Sequence, residues 1–240
     1  MVFLAMLIVG VVSCSKDDNG SSDIQDSMPI NPDPDPNPDP DPSTAGWVDL
    51  GLPSGLLWYS CNLGANSPEE YGNYYAWGET DPKEVYSWST YRYCMVDEDG
   101  SLQTLTKYNT SNTYGTPDNL TTLQAMDDAA TEVLGGDART PTKEEWEELI
   151  SNTTVEWTTM NGVSGKRFTA ANGNTLFLPA SGHRYDSDLY AGSHGNYWSA
   201  SLNKDYPTCV WNFYFNVNGQ SIGNGDDRVM GFPIRAVRQN

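Results

Sequence analysis

Basic residues are scarce in this chain of 240 residues. It contains 13 lysines and arginines against 32 aspartates and glutamates, which gives a formal net charge of −19. Binding to a nucleic-acid backbone requires clustered basic side chains, and the few present here are scattered along the sequence. The composition therefore argues against nucleic acid as a partner. It also disfavours direct electrostatic attachment to an anionic membrane surface.

Histidine and cysteine are rare as well, with two and four copies. His183 and His194 are eleven residues apart and no cysteine is near them, so a zinc site has little support. Cys61 and Cys94 can pair in an oxidising compartment, but Cys209 is then left over and the connectivity stays open. Nucleophile-elbow, P-loop and dinucleotide-binding patterns are missing too. We therefore expect no enzyme, no catalytic residues and no metal site.

Apolar runs long enough to cross a bilayer as a helix are also missing. The run at 2–12 is too short, and it is followed by Ser13 and Cys14, which is typical of a cleaved signal peptide. The letters VVSC at 11–14 resemble a bacterial lipobox, and SKDD at 15–18 resembles the acidic export signal of Bacteroidetes surface lipoproteins. These resemblances imply a signal peptide over 1–13 and a lipid on Cys14 that anchors the protein to the outer membrane, exposed on the cell surface. An ordinary signal peptide with an accidental cysteine is the alternative.

Residues 14–45 are predicted to be a disordered tether rich in aspartate and proline. Between Pro32 and Pro42, every second residue is proline and the others are Asp or Asn, so no helix can form. As polyproline II this stretch would extend about 34 Å, at ~3.1 Å per residue. We expect a spacer that holds the following domain away from the membrane.

Residues 46–240 are predicted to form one loop-rich α+β domain with two short helices. The first helix is predicted from an apolar stripe: Leu123, Met126, Ala130 and Val133. It ends at Gly135-Gly136. The second helix starts with Thr142 as N-cap and Glu145 completing a capping box, and directs Trp146 to the core. The acidic residues of this helix are interpreted as its solvated face, not as acid–base groups.

Antiparallel strands are predicted mainly in the C-terminal half. Their ranges are 47–50, 56–60, 156–159, 167–170, 175–178, 197–201, 209–217 and 234–238. Asn-Gly pairs at 161–162, 172–173 and 218–219 predict tight hairpin turns. The segment 64–93 is rich in tyrosine and tryptophan without helical or strand periodicity. We interpret it as a structured loop packed on the core, with an exposed sugar-gripping surface as the alternative.

Alternation makes 209–217 the central strand. Cys209, Trp211, Phe213, Phe215 and Val217 share one parity and are assigned to the core. The other parity contains Val210, Asn212, Tyr214 and Asn216, which we assign to a solvent-facing side. This polar side is the first candidate for function.

Six segments resemble the Fibrobacter succinogenes major paralogous domain. They are VDLGLPSGLLW at 48–58, YYAWGET at 74–80, DDAA at 127–130, RTPTKEEW at 139–146, LPA at 178–180 and GNYWS at 195–199. That family is similar to the C-type-lectin-like fold shared with formylglycine-generating enzymes and with variable proteins of diversity-generating retroelements. The resemblance implies a scaffold whose C-terminal strands and loops present a binding surface.

We therefore expect a non-catalytic adhesin or ligand-binding module for an extracellular glycan or protein. The candidate ligand-binding residues are Tyr185, Tyr190, His194, Asn212, Tyr214, Asn216, Asp226, Asp227 and Arg228. Phenols supply rigid contact area, and amides donate and accept hydrogen bonds, as in antibody paratopes. The loops at 185–194 and 224–230 complete this predicted surface.

Four alternatives are weighed at this stage. The residue types at 185–228 are compatible with a retroelement variable protein, and a structural subunit of a surface assembly is a further alternative. A formylglycine-generating-type enzyme is disfavoured because Cys209 has no nearby cysteine in sequence. A calcium-dependent lectin is disfavoured because Phe213, which cannot ligate a hard cation, follows Trp211-Asn212. Asp226-Asp227 leaves calcium as the one cofactor alternative.

Overall fold

The computed structural model describes residues 45–240, except for the side chain of Asn224. The predicted signal peptide at 1–13, the lipidation of Cys14 and the tether at 14–45, apart from Ala45, lie outside the described residues. The described residues belong to one compact unit. None of its helices is long and apolar enough to span a membrane.

The described residues contain thirteen strands and two α-helices, joined by turns and loops. The strands are β1 (Trp47–Asp49), β2 (Leu57–Tyr59), β3 (Cys94–Val96), β4 (Leu102–Leu105), β5 (Thr153–Met160), β6 (Val163–Ala170), β7 (Thr175–Pro179), β8 (His183–Tyr185), β9 (Asp188–Tyr190), β10 (His194–Leu202), β11 (Cys209–Asn216), β12 (Gly219–Asp227) and β13 (Val237–Arg238). The helices are α1 (Ala129–Leu134) and α2 (Lys143–Ser151). All strand pairings within the sheets are antiparallel. The predicted α+β class with two short helices and mainly C-terminal strands is confirmed.

The first and last strands of the domain share a sheet in the order β1-β2-β13. Trp58 of β2 lies opposite both Val48 and Val237, and its side chain is buried. The predicted strand pair near the start of the domain is therefore confirmed. The sheet joins the two ends of the domain, which closes the fold around the segments between them.

The first helix differs from its prediction. Of the predicted first helix, only the residues of α1 are α-helical, and they follow a short 3₁₀ turn at Ala125–Asp127. Asp128 caps α1 by accepting a hydrogen bond from the backbone N–H of Ala130 at 2.9 Å. The apolar stripe is wrong because Met126 precedes the helix and is 75% exposed, while Val133 is also exposed. The end of the helix at Gly135 is as predicted.

The second helix agrees with its prediction. The Thr142 side chain accepts a hydrogen bond from the backbone N–H of Glu145, and the Glu145 carboxylate accepts one from Thr142 in return. Arg139 reinforces this cap with two hydrogen bonds to the same carboxylate. Trp146 is fully buried and stacks on Phe213 at 4.9 Å, so α2 packs against the C-terminal sheet.

A second sheet has the order β5-β6-β7. Met160 pairs with Val163, and Asn161 and Gly162 between them have φ of 48° and 85°. Positive φ at both positions is the geometry that an Asn-Gly hairpin turn requires. The three predicted strands in this region are confirmed, and the structure lengthens the first two.

The central sheet has the order β10-β11-β12, so β10 and β12 are its two edge strands. Its two faces bury different clusters: Trp198 and Val210 belong to one, Tyr197, Phe213 and Phe215 to the other. The hairpin predicted after β11 is confirmed, but its turn lies one residue earlier than predicted, at Val217 and Asn218, because Gly219 already pairs with Asn216. Neither Asn218 nor Gly219 has positive φ. Between Val210 and Phe213 the central strand therefore separates two cores, whereas Tyr214 and Asn216 near its end are partly exposed.

This arrangement corrects the parity assignment at the beginning of β11. The β11–β12 register shifts between Val210 and Asn212. Both of these residues are buried, whereas Trp211 is only partly buried and Val217 is exposed. The assignment of Phe213 and Phe215 to the core is confirmed.

The aromatic segment at 64–93 packs on the core, as predicted. Its buried members are Tyr74, Tyr75, Trp77, Tyr86, Tyr91 and Tyr93. Their polar atoms bond inside the domain: the Tyr74 hydroxyl donates to the Ser181 carbonyl at 2.6 Å, and the Trp77 indole donates to the Ser199 carbonyl at 2.8 Å. The alternative of an exposed sugar-gripping surface is wrong for these residues.

Asp127 accepts hydrogen bonds from three side chains in this part of the core. The hydroxyls of Tyr93 and Tyr108 donate to it at 2.6 and 2.5 Å, and Lys107 Nζ donates at 2.5 Å. Burial raises the pKa of Asp127, but the hydrogen bonds from Lys107 and the two phenols outweigh that effect, so its net pKa is lowered. The ionised carboxylate is therefore favoured by the folded state.

We expect Asp127→Asn to destabilise the protein by about 2 kcal/mol at pH 7, because three bonds to a charged acceptor are weakened. A carboxyl whose folded pKa is lowered stabilises above its unfolded pKa and loses that contribution as pH falls through the folded value. The difference from wild type should therefore shrink below about pH 4. Urea unfolding at several pH values measures this. Exposed Asp188→Asn is the control and should stay within about 0.5 kcal/mol. A difference that is independent of pH would contradict this prediction.

Candidate functional site

The polar side of β11 lies against β10. Asn216 pairs with His194, and Tyr214 pairs with Asn196, so these four side chains share one face of the sheet. Tyr214, Asn216 and His194 are partly exposed there. The structure therefore brings together three of the predicted site residues.

Four rings form a continuous row along this face, which we call the ring row: Tyr190, His183, His194 and Tyr214. The centroids of Tyr190 and His183 are 5.0 Å apart with planes at 19°. His183 and His194 are 5.3 Å apart, and His194 and Tyr214 are 6.0 Å apart. Asn216 extends the row, because its amide donates to the Tyr214 hydroxyl at 2.9 Å. Its outer end is open to solvent, since Tyr190 is 48% exposed.

The hairpin β8–β9 carries the first two rings of the row. Asp186 has φ of 48° at its turn, and its backbone exchanges two hydrogen bonds with Tyr86 of the buried aromatic segment. His183 pairs with Tyr190, and Tyr185 pairs with Asp188. Tyr185 is also exposed on this hairpin, but it is not one of the four residues of the ring row. The hairpin is therefore anchored at its tip while its outer aromatic side chains stay accessible.

Three polar side chains lie beneath the ring row, and we call them the amide relay: Asp226, Asn212 and Asn196. Asn212 Nδ2 donates to Asp226 Oδ2 at 3.0 Å and to Asn196 Oδ1 at 3.2 Å. Asn196 Nδ2 lies 3.4 Å from His183 Nδ1. Asn212 is only 1% exposed, so its prediction as a solvent-facing contact residue is wrong. It supports the row from within.

Burial sets the protonation of these groups. It raises the pKa of Asp226, an effect that Asp227 increases and the hydrogen bond from Asn212 opposes. Burial also raises the pKa of Asp227. It lowers the pKa of His183, where the neighbouring His194 adds to the effect, and it lowers the pKa of His194. At neutral pH the ring row therefore presents uncharged imidazoles.

Arg228 is wrong as a contact residue because it is fully buried. Its guanidinium donates to the Tyr91 hydroxyl at 2.7 Å and to the backbone carbonyls of Lys107, Tyr108 and Pro207 at 3.0–3.1 Å. It also lies over three aromatic rings, 5.2–5.8 Å from their centroids. Arg228 therefore holds loops together inside the core.

The two adjacent acids do not form a shared ion site. Asp226 pairs with Val210 and Asp227 with Cys209, so successive side chains point to opposite faces of the strand. Asp226 belongs to the amide relay, and Asp227 Oδ1 lies 3.9 Å from Cys209 Sγ. Within residues 45–240, no group of three or more His, Cys, Asp or Glu side chains is arranged to hold a metal ion.

The cysteines at 61, 94 and 209 are all free. The alternative of a Cys61–Cys94 disulfide is therefore not realised in this structure. Burial raises the pKa of the Cys209 thiol, which lies 3.6 Å from the Thr208 hydroxyl. A raised pKa leaves little of the reactive thiolate at neutral pH.

Trp211 lies on the other face of the sheet. Lys143 Nζ is 4.2 Å from the centroid of its ring, and both residues line a cleft of about 350 Å³ beside the start of α2. Thr122, Ser201 and Asp205 make this cleft polar. The cleft is separated from the ring row by the sheet itself.

Two residues of the site were absent from the predicted set. His183 is a member of the ring row and Asn196 of the amide relay. The alternation of 194–198 places Asn196 two residues after His194 on the same face, so strand parity alone was a usable signal for it. His183 has no such signal, because only the hairpin β8–β9 brings it to this face.

The site combines stacked rings at an open edge with a buried, hydrogen-bonded support. Such an arrangement can bind a ligand by ring contact and by hydrogen bonds from imidazole, phenol and amide groups. Comparison of the chain with protein-family models, curated proteins and solved structures finds no match to any of them.

Proposed function

We propose that this protein is a non-catalytic ligand-binding module or adhesin that uses the ring row to bind a glycan or protein outside the cell. The observation that carries the proposal is the ring row itself, four rings in successive contact with an exposed end and an amide beside them. Tyrosine rings that keep one part accessible are enriched at protein interfaces, because the ring is apolar and its hydroxyl forms hydrogen bonds. Tyrosine and asparagine also suit interfaces because they combine rigid area with adaptable hydrogen bonding.

The proposal extends to the fold and to the location of the protein. We infer a C-type-lectin-like domain, supported by the antiparallel C-terminal sheet and the position of the ring row on it. We also infer a lipoprotein held at the outer membrane through a lipid on Cys14 and facing the exterior, supported by the VVSC and SKDD letters of the sequence. Outside the cell, the tether would present the ring row to soluble or surface-bound ligands.

The experiment is binding of the full chain to arrays of glycans and extracellular proteins, beside the variant Tyr190→Ala/Tyr214→Ala. The control is Tyr206→Ala, which removes an exposed phenol that lies outside the ring row. We expect the double variant to lose at least about tenfold in affinity, because two aromatic anchors are removed. The control should bind as wild type does.

Equal binding by wild type and the double variant would contradict the proposed surface. Failure of wild type to bind any probe would favour a structural subunit of a surface assembly. Adding Ca²⁺ to chelator-treated protein tests the calcium alternative separately, since a calcium-dependent lectin would bind its ligand only after the addition.

A further inference from the structure

The only two histidines of the chain meet in the ring row. His183 Nδ1 and His194 Nε2 lie 3.1 Å apart, although eleven residues separate them in sequence. The hairpin β8–β9 carries His183 and the first position of β10 carries His194. Their contact is therefore a product of the fold.

The amide relay indicates which proton faces His183. The Asn212 N–H₂ donates to Asp226 Oδ2, which orients this amide with its N–H₂ toward Asp226. The same N–H₂ donates to Asn196 Oδ1, which turns the Asn196 N–H₂ toward His183 Nδ1 at 3.4 Å. An N–H donor there favours an unprotonated Nδ1, and a cation that binds to Nδ1 replaces this long contact because the nitrogen has one lone pair.

Ser193 lies beside the other ring. Its hydroxyl is 3.1 Å from His194 Nδ1. A hydroxyl donates as well as accepts, so it satisfies either tautomer of His194. With the proton on Nε2, His194 donates to His183 Nδ1 across 3.1 Å; with the proton on Nδ1, both of these nearby nitrogens are free of protons, as one shared cation requires.

We propose that His183 and His194 together bind one divalent transition-metal cation of the Zn²⁺, Ni²⁺ or Cu²⁺ class. Two imidazole nitrogens at about 2.0–2.1 Å from one cation are roughly 3.0–3.4 Å apart at near-tetrahedral or right angles, and the observed separation falls in this range. Imidazole nitrogen suits these cations better than it suits Ca²⁺ or Mg²⁺. Water completes the coordination on the open side.

The surroundings fit this assignment. Ser193 provides the partner that a metal-binding histidine commonly has on its other nitrogen. Tyr190 stacks on His183 and holds its plane, while the exposed Ser193 leaves a path from solvent. The metal site does not depend on the identity or existence of the ligand proposed above.

The experiment uses the untagged full chain, freed of metal, and Cu²⁺ alone as the probe. Calorimetry measures affinity and stoichiometry, and electron paramagnetic resonance counts the coordinating nitrogens. We expect one site with two nitrogen ligands. His183→Gln and His194→Gln should each weaken it at least about tenfold and remove one nitrogen coupling. Ser193→Ala should weaken it about tenfold while both couplings remain.

The control is Cys209→Ser, which removes a half-buried thiol beside Asp227. This variant should bind Cu²⁺ as wild type does. Circular dichroism verifies that each glutamine variant is folded. Unchanged binding in both histidine variants would overturn the proposal, as would a wild-type spectrum without nitrogen coupling. Because no ligand is present, neither result bears on the ligand-binding proposal.

Discussion

Arg228→Met is expected to lower the free energy of unfolding by about 3–4 kcal/mol. The methionine removes the donor of four hydrogen bonds, and it leaves three backbone carbonyls and the Tyr91 hydroxyl to find other partners in a buried region. Unsatisfied buried polar groups are among the few causes of effects this large. Equilibrium unfolding in urea measures the change.

Two further variants separate charge from geometry at this position. Arg228→Lys keeps the charge but cannot reproduce the planar fork of donors, so its loss should be smaller than that of the methionine variant yet above about 1 kcal/mol. Arg92→Met, at an exposed position, is the matched control and should change stability by less than about 0.5 kcal/mol. A loss below about 1 kcal/mol for Arg228→Met would contradict the role of Arg228 in the core.

Gly182→Ala is expected to destabilise the protein by roughly 3 kcal/mol and to separate the rings of Tyr190 and His183. Gly182 has φ of +61°, and a Cβ atom there would overlap the backbone carbonyl of Tyr190. Positive φ and steric overlap each cost on the order of 1–3 kcal/mol for a non-glycine residue. Tyr190 in strand β9 must therefore move away from residue 182.

Urea unfolding measures the destabilisation, and the NMR signal of the His183 ring reports its stacking on Tyr190. The control is Gly192→Ala, where φ is +91° but nothing lies within 4 Å of the added Cβ. The control should lose about 1 kcal/mol and keep the ring signal, because it adds only backbone strain. Equal losses in both variants would contradict the overlap with Tyr190.

Local sequence patterns predicted much of the fold. The Asn-Gly pair at 161–162 located the hairpin turn after β5, and the capping box located the start of α2. The pair at 218–219 indicated the hairpin after β11 but placed its turn one residue too late. These signals act over two to four residues, so they do not need tertiary context. The first helix was less accurate because Met126 matched the helical spacing while lying before the helix.

The parity of β11 failed where tertiary context decides. An alternating strand is normally assigned one core face and one wet face, but here the second face is also covered around Val210 and Asn212. Adjacent Tyr197 and Trp198 in β10, both fully buried, are the available signal of such double coverage. Asn212 was assigned to solvent because its polarity outweighed that signal.

The candidate site was predicted in part for the same reason. Tyr214 and Asn216 follow from the parity of β11, whereas His194 was assigned to a flanking loop at 185–194 and begins β10 in the structure. The burial of Arg228 could not be predicted in this way. A charged side chain in a glycine-rich loop gives no local indication that carbonyls from distant loops surround it. The meeting of His183 with His194 likewise depends on a hairpin that the sequence did not indicate.

The outermost position of β12 also bears on how copies of this protein meet one another. An outer strand exposes backbone donors and acceptors that a strand from another copy can pair with, which leads to aggregation. The central part of β12 is glycine-rich and its last two residues are Asp226 and Asp227. Aspartate and glycine are both poor strand formers, and a second copy of β12 laid alongside in parallel would bring more carboxylates to the same end. Both features weaken pairing between copies through the edge of β12.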